Sequence, residues 1–275
     1  RGAAHATNIA QCIAGVLCMA YLLFRFRELV PKGQEWQVQR RKYQEMTIFG
    51  ISLGMMSCFV SIGTVIFQTA VNRLGTKIVT AHIAARRIEE LTNVPMLCTG
   101  MAMTTYASQN LGAGEYDRIK KGIHQAFVIV LVQGVIFTTF CWIFGHPLIR
   151  WITSSNDTYI LDTAYRYLTR NTSFYFVLGP LFVLRCSLQG LEHKVIPVGS
   201  SILELVLKIV STIWIVPVLG YTGVIYTEPI IWTFMTLMLI GGYVRALKQI
   251  NEAEHIKSAR NAKAENEKIN VDNRL

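Results

Sequence analysis

The sequence predicts an all-α polytopic membrane protein of about seven transmembrane helices, and three observations predict it. Apolar stretches of membrane-spanning length recur along the chain. The composition is 52% hydrophobic and only 16% charged. Lys and Arg gather in alternate connections between the apolar stretches. A mean hydropathy of +0.35 is high for a soluble domain, and the apolar residues are too clustered for an ordinary core. The formal charge of +10 would suit a nucleic-acid partner, but the basic residues lie between apolar segments rather than on one patch. Membrane topology explains that charge, so the expected partners include membrane lipid and no nucleic acid.

About 20 residues cross a hydrocarbon core roughly 30 Å thick. Taken in order, the spans read from the sequence are 6–24, 47–71, 78–109, 125–149, 165–189, 196–218 and 225–247. The third is too long to lie wholly in lipid. It carries Arg86, Arg87, Glu89 and Glu90, and then Pro95. Roughly 20 residues counted back from Asn110 end near Leu91, which puts that charged turn at the membrane's outer edge. Its charges pair at i,i+3 spacing and read as a solvated mouth. The same span stops on Gln109-Asn110, where the pair Gly112 and Gly114 is expected to break the helix.

Orientation follows from the cations. One side collects 17 Lys and Arg, among them Arg25, Arg40, Arg41, Lys42, Arg118, Lys120, Lys121, Lys194 and those from Arg245 onward. The other has five: Arg73, Lys77, Arg150, Arg166 and Arg170. The richer side is read as cytoplasmic, so the tail ends inside the cell, with the plasma membrane as the expected location. Residues 1–27 form one helical unit, 28–45 a cytoplasmic linker, 46–247 a six-helix lobe and 248–275 a polar cytoplasmic tail. That tail has no apolar face and reads as a frayed helix followed by disorder. The chain opens at Arg1 and enters an apolar helix almost at once, so it is expected to be part of a longer protein. Its six cysteines lie inside apolar stretches without metal-ligand spacing and read as small buried thiols.

Polar side chains in a bilayer are costly, which makes each a candidate for function or for helix pairing. In the hairpin of the fifth and sixth spans, Arg185 and Glu204 are nearly equidistant from the turn at Leu191-Glu192-His193-Lys194. Lys208 follows Glu204 at i+4, on the same helix face. An Arg185–Glu204–Lys208 cluster is therefore expected, either joining the hairpin or touching an ion or substrate. Along the second span Ser57, Ser61, Thr64 and Gln68 fall at i, i+4, i+7 and i+11, with Asn72 one turn beyond. This stripe either lines a wet cavity or bonds across helices, with Gly54 and Gly63 allowing close approach. Met103 and Tyr106 on the third span are cavity candidates of another kind, because thioethers repack easily and aromatic faces attract cations.

The chain has no Walker motif, no HExxH, no GxSxG and no paired catalytic carboxylates. Enzyme chemistry is not expected, and any pumping would draw on an ion gradient. His82, His124, His146 and His193 are scattered over spans and ends, which makes an intramembrane enzyme a poor reading.

Residues 63–122 (GTVIFQTAVNRLGTKIVTAHIAARRIEELTNVPMLCTGMAMTTYASQNLGAGEYDRIKKG) closely resemble the multidrug and toxic compound extrusion (MATE) family. LQG at 188–190, ELV–K at 204–208, LGYTGV at 219–224 and GAAHATNIAQ at 2–11 extend the resemblance over nearly the whole chain except the tail. It implies helix six plus the six-helix second lobe of a twelve-helix transporter, with a missing N-terminal lobe as partner. It also implies secondary active efflux of cationic or amphipathic small molecules, drugs and toxins, by antiport with Na+ or H+ and with no other cofactor. One branch of the family uses acidic residues in helices seven and ten, where this chain has Val60 and Leu178. The resemblance thus points to the DinF-like branch, whose coupling acid lies in helix one. Thr7 is the candidate cation ligand surviving from the first-lobe site. If these 275 residues were the whole molecule, no transport would be expected. A lipid-linked oligosaccharide flippase of the same superfamily stays open as an alternative, wanting a more cationic cavity. A seven-helix receptor is more distant, since Gly112 and Gly114 separate Tyr116-Asp117-Arg118 from the third span.

Overall fold

The computed structural model describes residues 2–26, 33 and 39–272. Helices follow in the order α1 (Gly2–Arg25), α2 (Arg40–Asn72), α3 (Thr76–Ala113), α4 (Tyr116–Thr153), α5 (Thr158–Thr172), α6 (Tyr175–Gly190), α7 (Val195–Leu219) and α8 (Tyr221–Asp272). Among the described residues there is no strand. Five stretches are long and apolar enough to cross a membrane: His5–Arg25, Arg40–Asn72, Tyr116–Thr153, Val195–Leu219 and Tyr221–Glu252. Their outward faces are apolar as well. On α4, Val128, Val132, Val135, Trp142 and Ile143 are exposed, and on α8, Ile230, Phe234 and Leu237. A soluble protein would not present such rows to water, and lipid solvates them without cost. The chain is a multi-pass membrane protein.

The spans read from the sequence need three revisions. The single span expected over 165–189 is two helices, α5 and α6, parted at Ser173-Phe174. α5 starts where the Asp157 carboxylate accepts the Tyr159 N–H at 3.0 Å, a side-chain N-cap. Near its end the Ser173 hydroxyl donates to the Thr169 carbonyl at 2.7 Å, offering the backbone an alternative to helix. At the end of α3, Gly112 stays helical and Gly114 alone adopts the left-handed conformation, φ 70°. The tail, expected to fray, continues α8 to Asp272. In α7, Ser211–Ile215 forms a wide π turn just before Pro217, which has no N–H to give the preceding turn. The linker expected at 28–45 falls largely outside the described residues.

The chain forms two units, Arg1–Gly50 and Ile51–Leu275. In the first, no described residue of α1 is buried. In the second, α3 is the central helix, packed against α4, α5 and α6, while α8 covers α6 and α7. Small residues set its closeness to α6. A Cβ on Gly190 would lie 2.4 Å from the Thr104 carbonyl oxygen, and one on Gly100 would lie 3.0 Å from that of Phe182. The Thr104 hydroxyl donates to the Cys186 carbonyl at 3.1 Å across the same seam. Backbone contact of this kind holds helices together where lipid removes the hydrophobic drive. Of the six cysteines, all free, Cys141 and Cys186 are buried, while Cys12, Cys18, Cys58 and Cys98 are exposed rather than buried. Lipid-facing helix surfaces tolerate a small thiol, so burial in protein was not needed to explain them.

The core has two layers. Met96, Met103, Ile119, Val130, Leu181 and Leu188 belong to the first, at the Ala113 end of α3. Ala81, Ala85, Ile88, Ile149, Tyr167 and Ile225 belong to the second, at its Thr76 end. Buried beside the second layer's residues are His82, Glu89 and Glu228.

Candidate functional site

The α6–α7 turn closes tightly, with the His193 N–H on the Leu188 carbonyl at 3.0 Å and Glu192 at φ 64°. Two equal arms then bring Arg185 and Glu204 level, their charged ends 3.9 Å apart. Arg185 also donates to the Ser201 hydroxyl. One turn along α7, the Lys208 ammonium lies 3.0 Å from Glu204 and donates to the Thr64 hydroxyl of α2 at 3.2 Å. The cluster expected from the hairpin therefore forms, and α2 joins it. Gly63 makes room: a Cβ there would sit 3.1 Å from Lys208 Cδ.

The cluster does not end at Lys208. Its ammonium is 3.5 Å from Glu228 on α8, and Glu228 is 4.0 Å from Arg86 on α3. Arg86 donates to Glu89 at 3.2 Å, and the Tyr167 hydroxyl of α5 donates to the same Glu89 oxygen at 3.1 Å. Six charges on α3, α6, α7 and α8 thus form one chain through four helices, with Thr64 of α2 and Tyr167 of α5 hydrogen-bonded to it. Arg86, Arg185 and Lys208 balance Glu89, Glu204 and Glu228, for a net charge of zero. Balance is required at this depth, because an unpaired buried ion costs several kcal/mol.

The reading of Arg86, Arg87, Glu89 and Glu90 as a solvated mouth is half wrong. The i,i+3 pairs form, Arg86–Glu89 at 3.2 Å and Arg87–Glu90 at 3.6 Å. Arg87 and Glu90 are exposed, but the Glu89 side chain is only 1% exposed and Arg86 30%. A helix turn of four charges has two faces, and α5 packs over one of them, where Glu228 of α8 also reaches Arg86. Glu228 was not read as a site residue. It is a lone carboxylate in an apolar span next to Pro229, and its signal was its depth alone.

The other candidates are placed as follows. Ser57 and Ser61 are exposed on α2, and Ser57 returns its hydroxyl to the Leu53 carbonyl at 3.3 Å. Gln68 donates to Asn72 at 3.0 Å, so within this stripe Thr64 is the member tied to the charge network. Gly54 meets nothing, unlike Gly63. Met103, read as a cavity residue, is buried in the apolar core, because its face of α3 turns toward α4 and α6. Tyr106 lies over Gly122 and donates to the Arg118 carbonyl at 3.1 Å, locking the α3–α4 hairpin. Thr7 is exposed on α1 in the first unit.

A family model described as MatE matches residues 53–214, more than half of the chain. The chain belongs to the MATE family. MATE proteins are transporters and not enzymes. Among curated relatives, a probable multidrug resistance protein of Bacillus subtilis, YpnP, is 26% identical over 214 residues, which cover 76% of this chain and 45% of the relative. A second from the same organism, YoeA, is 22% identical over 209 residues, covering 73% and 44% respectively. The chain spans about half the length of the curated relatives it matches. The outward-facing structure of a multidrug resistance MATE transporter of the MOP superfamily superposes with a TM-score of 0.72 at 20% identity, covering 92% of this chain and 56% of that one. That likeness establishes the fold.

Proposed function

We propose that this chain is helix six and the second lobe of a twelve-helix MATE exporter of the DinF-like branch. Joined to an N-terminal lobe, it would expel cationic or amphipathic small molecules, drugs or toxins, across the plasma membrane in exchange for Na+ or H+. Its C-terminus is cytoplasmic in this reading, as the excess of Lys and Arg on that side argues. Support comes from relatives described as multidrug resistance proteins and from their length, about twice that matched here.

The observation that carries the reading is the Lys208–Thr64 contact. It ties the exposed polar stripe of α2, a surface suited to a wet central vestibule, to a buried charge network that can re-pair when the lobe moves. The flippase alternative wants free cations for a pyrophosphate, yet Arg86, Arg185 and Lys208 each face a carboxylate. The test is dye efflux from cells carrying the chain together with its N-terminal lobe, with the Na+ and H+ gradients collapsed separately. Efflux should fail under one of the two collapses, and Glu204→Gln should lower it at unchanged membrane abundance. Efflux that survives both collapses would refute antiport, and full activity of Glu204→Gln at reduced abundance would make the network purely structural.

A further inference from the structure

The charge network ends at Glu89 in a pocket whose polar atoms are not all paired. Glu89 Oε1 is buried without a hydrogen-bond partner among the described residues, although Oε2 accepts from both Arg86 and Tyr167. His82, two turns earlier on α3 and 3% exposed, has an equally orphaned Nδ1. Its ring stands edge-on to Tyr167, centroids 4.8 Å apart, and to Tyr221 at 6.1 Å. The Tyr221 hydroxyl is likewise buried without a hydrogen-bond partner among the described residues.

These groups lead to the surface. Tyr221 lines a cleft of about 360 Å³ with Tyr159, Asp162 and Arg166, between the start of α5 and the start of α8. From that cleft, Tyr221, His82 and Tyr167 make a continuous line of ring contacts to Glu89. Each group on the line can hold or pass a proton.

We propose that Glu89 is a protonatable seat within this lobe, supplied from the α5–α8 cleft through Tyr221, His82 and Tyr167. A hydronium in the cleft gives up one proton and leaves as water, and Glu89 Oε1 gains that proton to become a carboxylic acid. The network then changes from neutral to a net charge of one, positive. Arg86 loses the negative charge it faced at 3.2 Å and is drawn toward Glu228, where it competes with Lys208. Lys208 is left to Glu204 and to Thr64 on α2, so the proton's arrival is felt on the polar stripe of α2. The other groups facing Glu89 are the Cys141 thiol from α4 and the Tyr175 phenol from α6, the latter bonded to Thr92 at 2.7 Å. Both are neutral and leave the exchange to the named charges. The proposal deepens the exporter reading by naming the proton as the ion this lobe binds, but the site can be tested without transport.

The experiment is infrared difference spectroscopy on the chain in lipid nanodiscs, stepping from about pH 9 to about pH 5. A carbonyl band of a protonated carboxylic acid should appear as the pH falls, vanish in Glu89→Gln and persist in Glu228→Gln. Tyr167→Phe keeps the ring but removes the hydrogen bond to Glu89, and should move the band to higher frequency. That variant keeps the assignment testable if Glu89→Gln folds poorly. Absence of any such band, or a band untouched by both Glu89→Gln and Tyr167→Phe, would overturn the proposal. Efflux is measured separately, so the exporter reading survives that result.

Discussion

Between Ala81 and Thr92 the face that α3 buries carries His82 and Glu89, whereas from Met96 to Ala107 it carries Met96, Gly100, Met103 and Ala107. One helix thus serves two kinds of core. At the Ala113 end, glycine and methionine let α3 and α6 touch backbone to backbone, and nothing there can rearrange without a clash. Toward the Thr76 end, Arg86 and Glu89 of α3 begin a row of three carboxylates and three cations that continues through α8 and α7 to α6 at contacts of 3.0 to 4.0 Å. Ion pairs of that length can exchange partners. The comparison teaches where a rigid lobe keeps its rigidity and where it keeps its freedom.

The largest effect should come from breaking the middle of the charged layer. Glu228→Ala removes the carboxylate shared by Lys208 and Arg86 and leaves the buried Lys208 and the half-buried Arg86 each short of a partner. Thermal unfolding in lipid nanodiscs should show a loss of about 3–5 kcal/mol, and a loss under about 1 kcal/mol would show the layer does not need balance. Next comes overpacking of the apolar layer. Gly190→Val places a side chain where a single Cβ already meets the Thr104 oxygen at 2.4 Å, so a cost of about 1–3 kcal/mol is expected by the same measurement. Glu228→Ala should also alter efflux in the assembled transporter, and Gly190→Val should act through abundance alone.

The smallest effect lies outside both layers. Lys77 and Asp157 pair at 2.8 Å at the loop ends of α3 and α5. Their hydrogen bond holds the Asp157 carboxylate below its ordinary value of 3.8 and the Lys77 ammonium above its ordinary 10.5. The Asp157 contribution is therefore present above 3.8 and lost as pH falls through the depressed value. The Lys77 contribution is present below 10.5 and lost as pH rises through the raised one. Asp157→Asn keeps the cap on α5 but removes the charge, and should flatten the acid limb of the stability profile slightly. The pair is exposed, and raised salt should erase the difference.

How much of this was legible in the sequence depended on whether the deciding contact was local. Arg185, Glu204 and Lys208 could be brought together by counting from one turn, and Lys208 follows Glu204 by one helix turn. Glu228 could not, because its partners lie on α3 and α7, far away in sequence. Arg86 and Glu89 were misjudged because i,i+3 spacing shows that two charges meet without showing which face neighbours will cover. Attention to the period would have helped: His82, Glu89, Thr92 and Met96 share one face, while Ile83, Leu91 and Val94 stay exposed. The break at Ser173-Phe174 was hidden because hydropathy sees apolar length and not a hydroxyl competing for a backbone carbonyl. Met103 was ambiguous for the reason any methionine is, since the same thioether suits a pocket wall and a packed core.

The measurement that bears most directly on the account is a double-mutant cycle between Glu89→Gln and Lys208→Met, read by thermal unfolding in nanodiscs. Those two side chains communicate through Arg86 and Glu228. If the six charges act as one network, the two changes will be non-additive by about 0.5 kcal/mol or more. Simple additivity would mean separate ion pairs, and would contradict the claim that a change at Glu89 reaches α2.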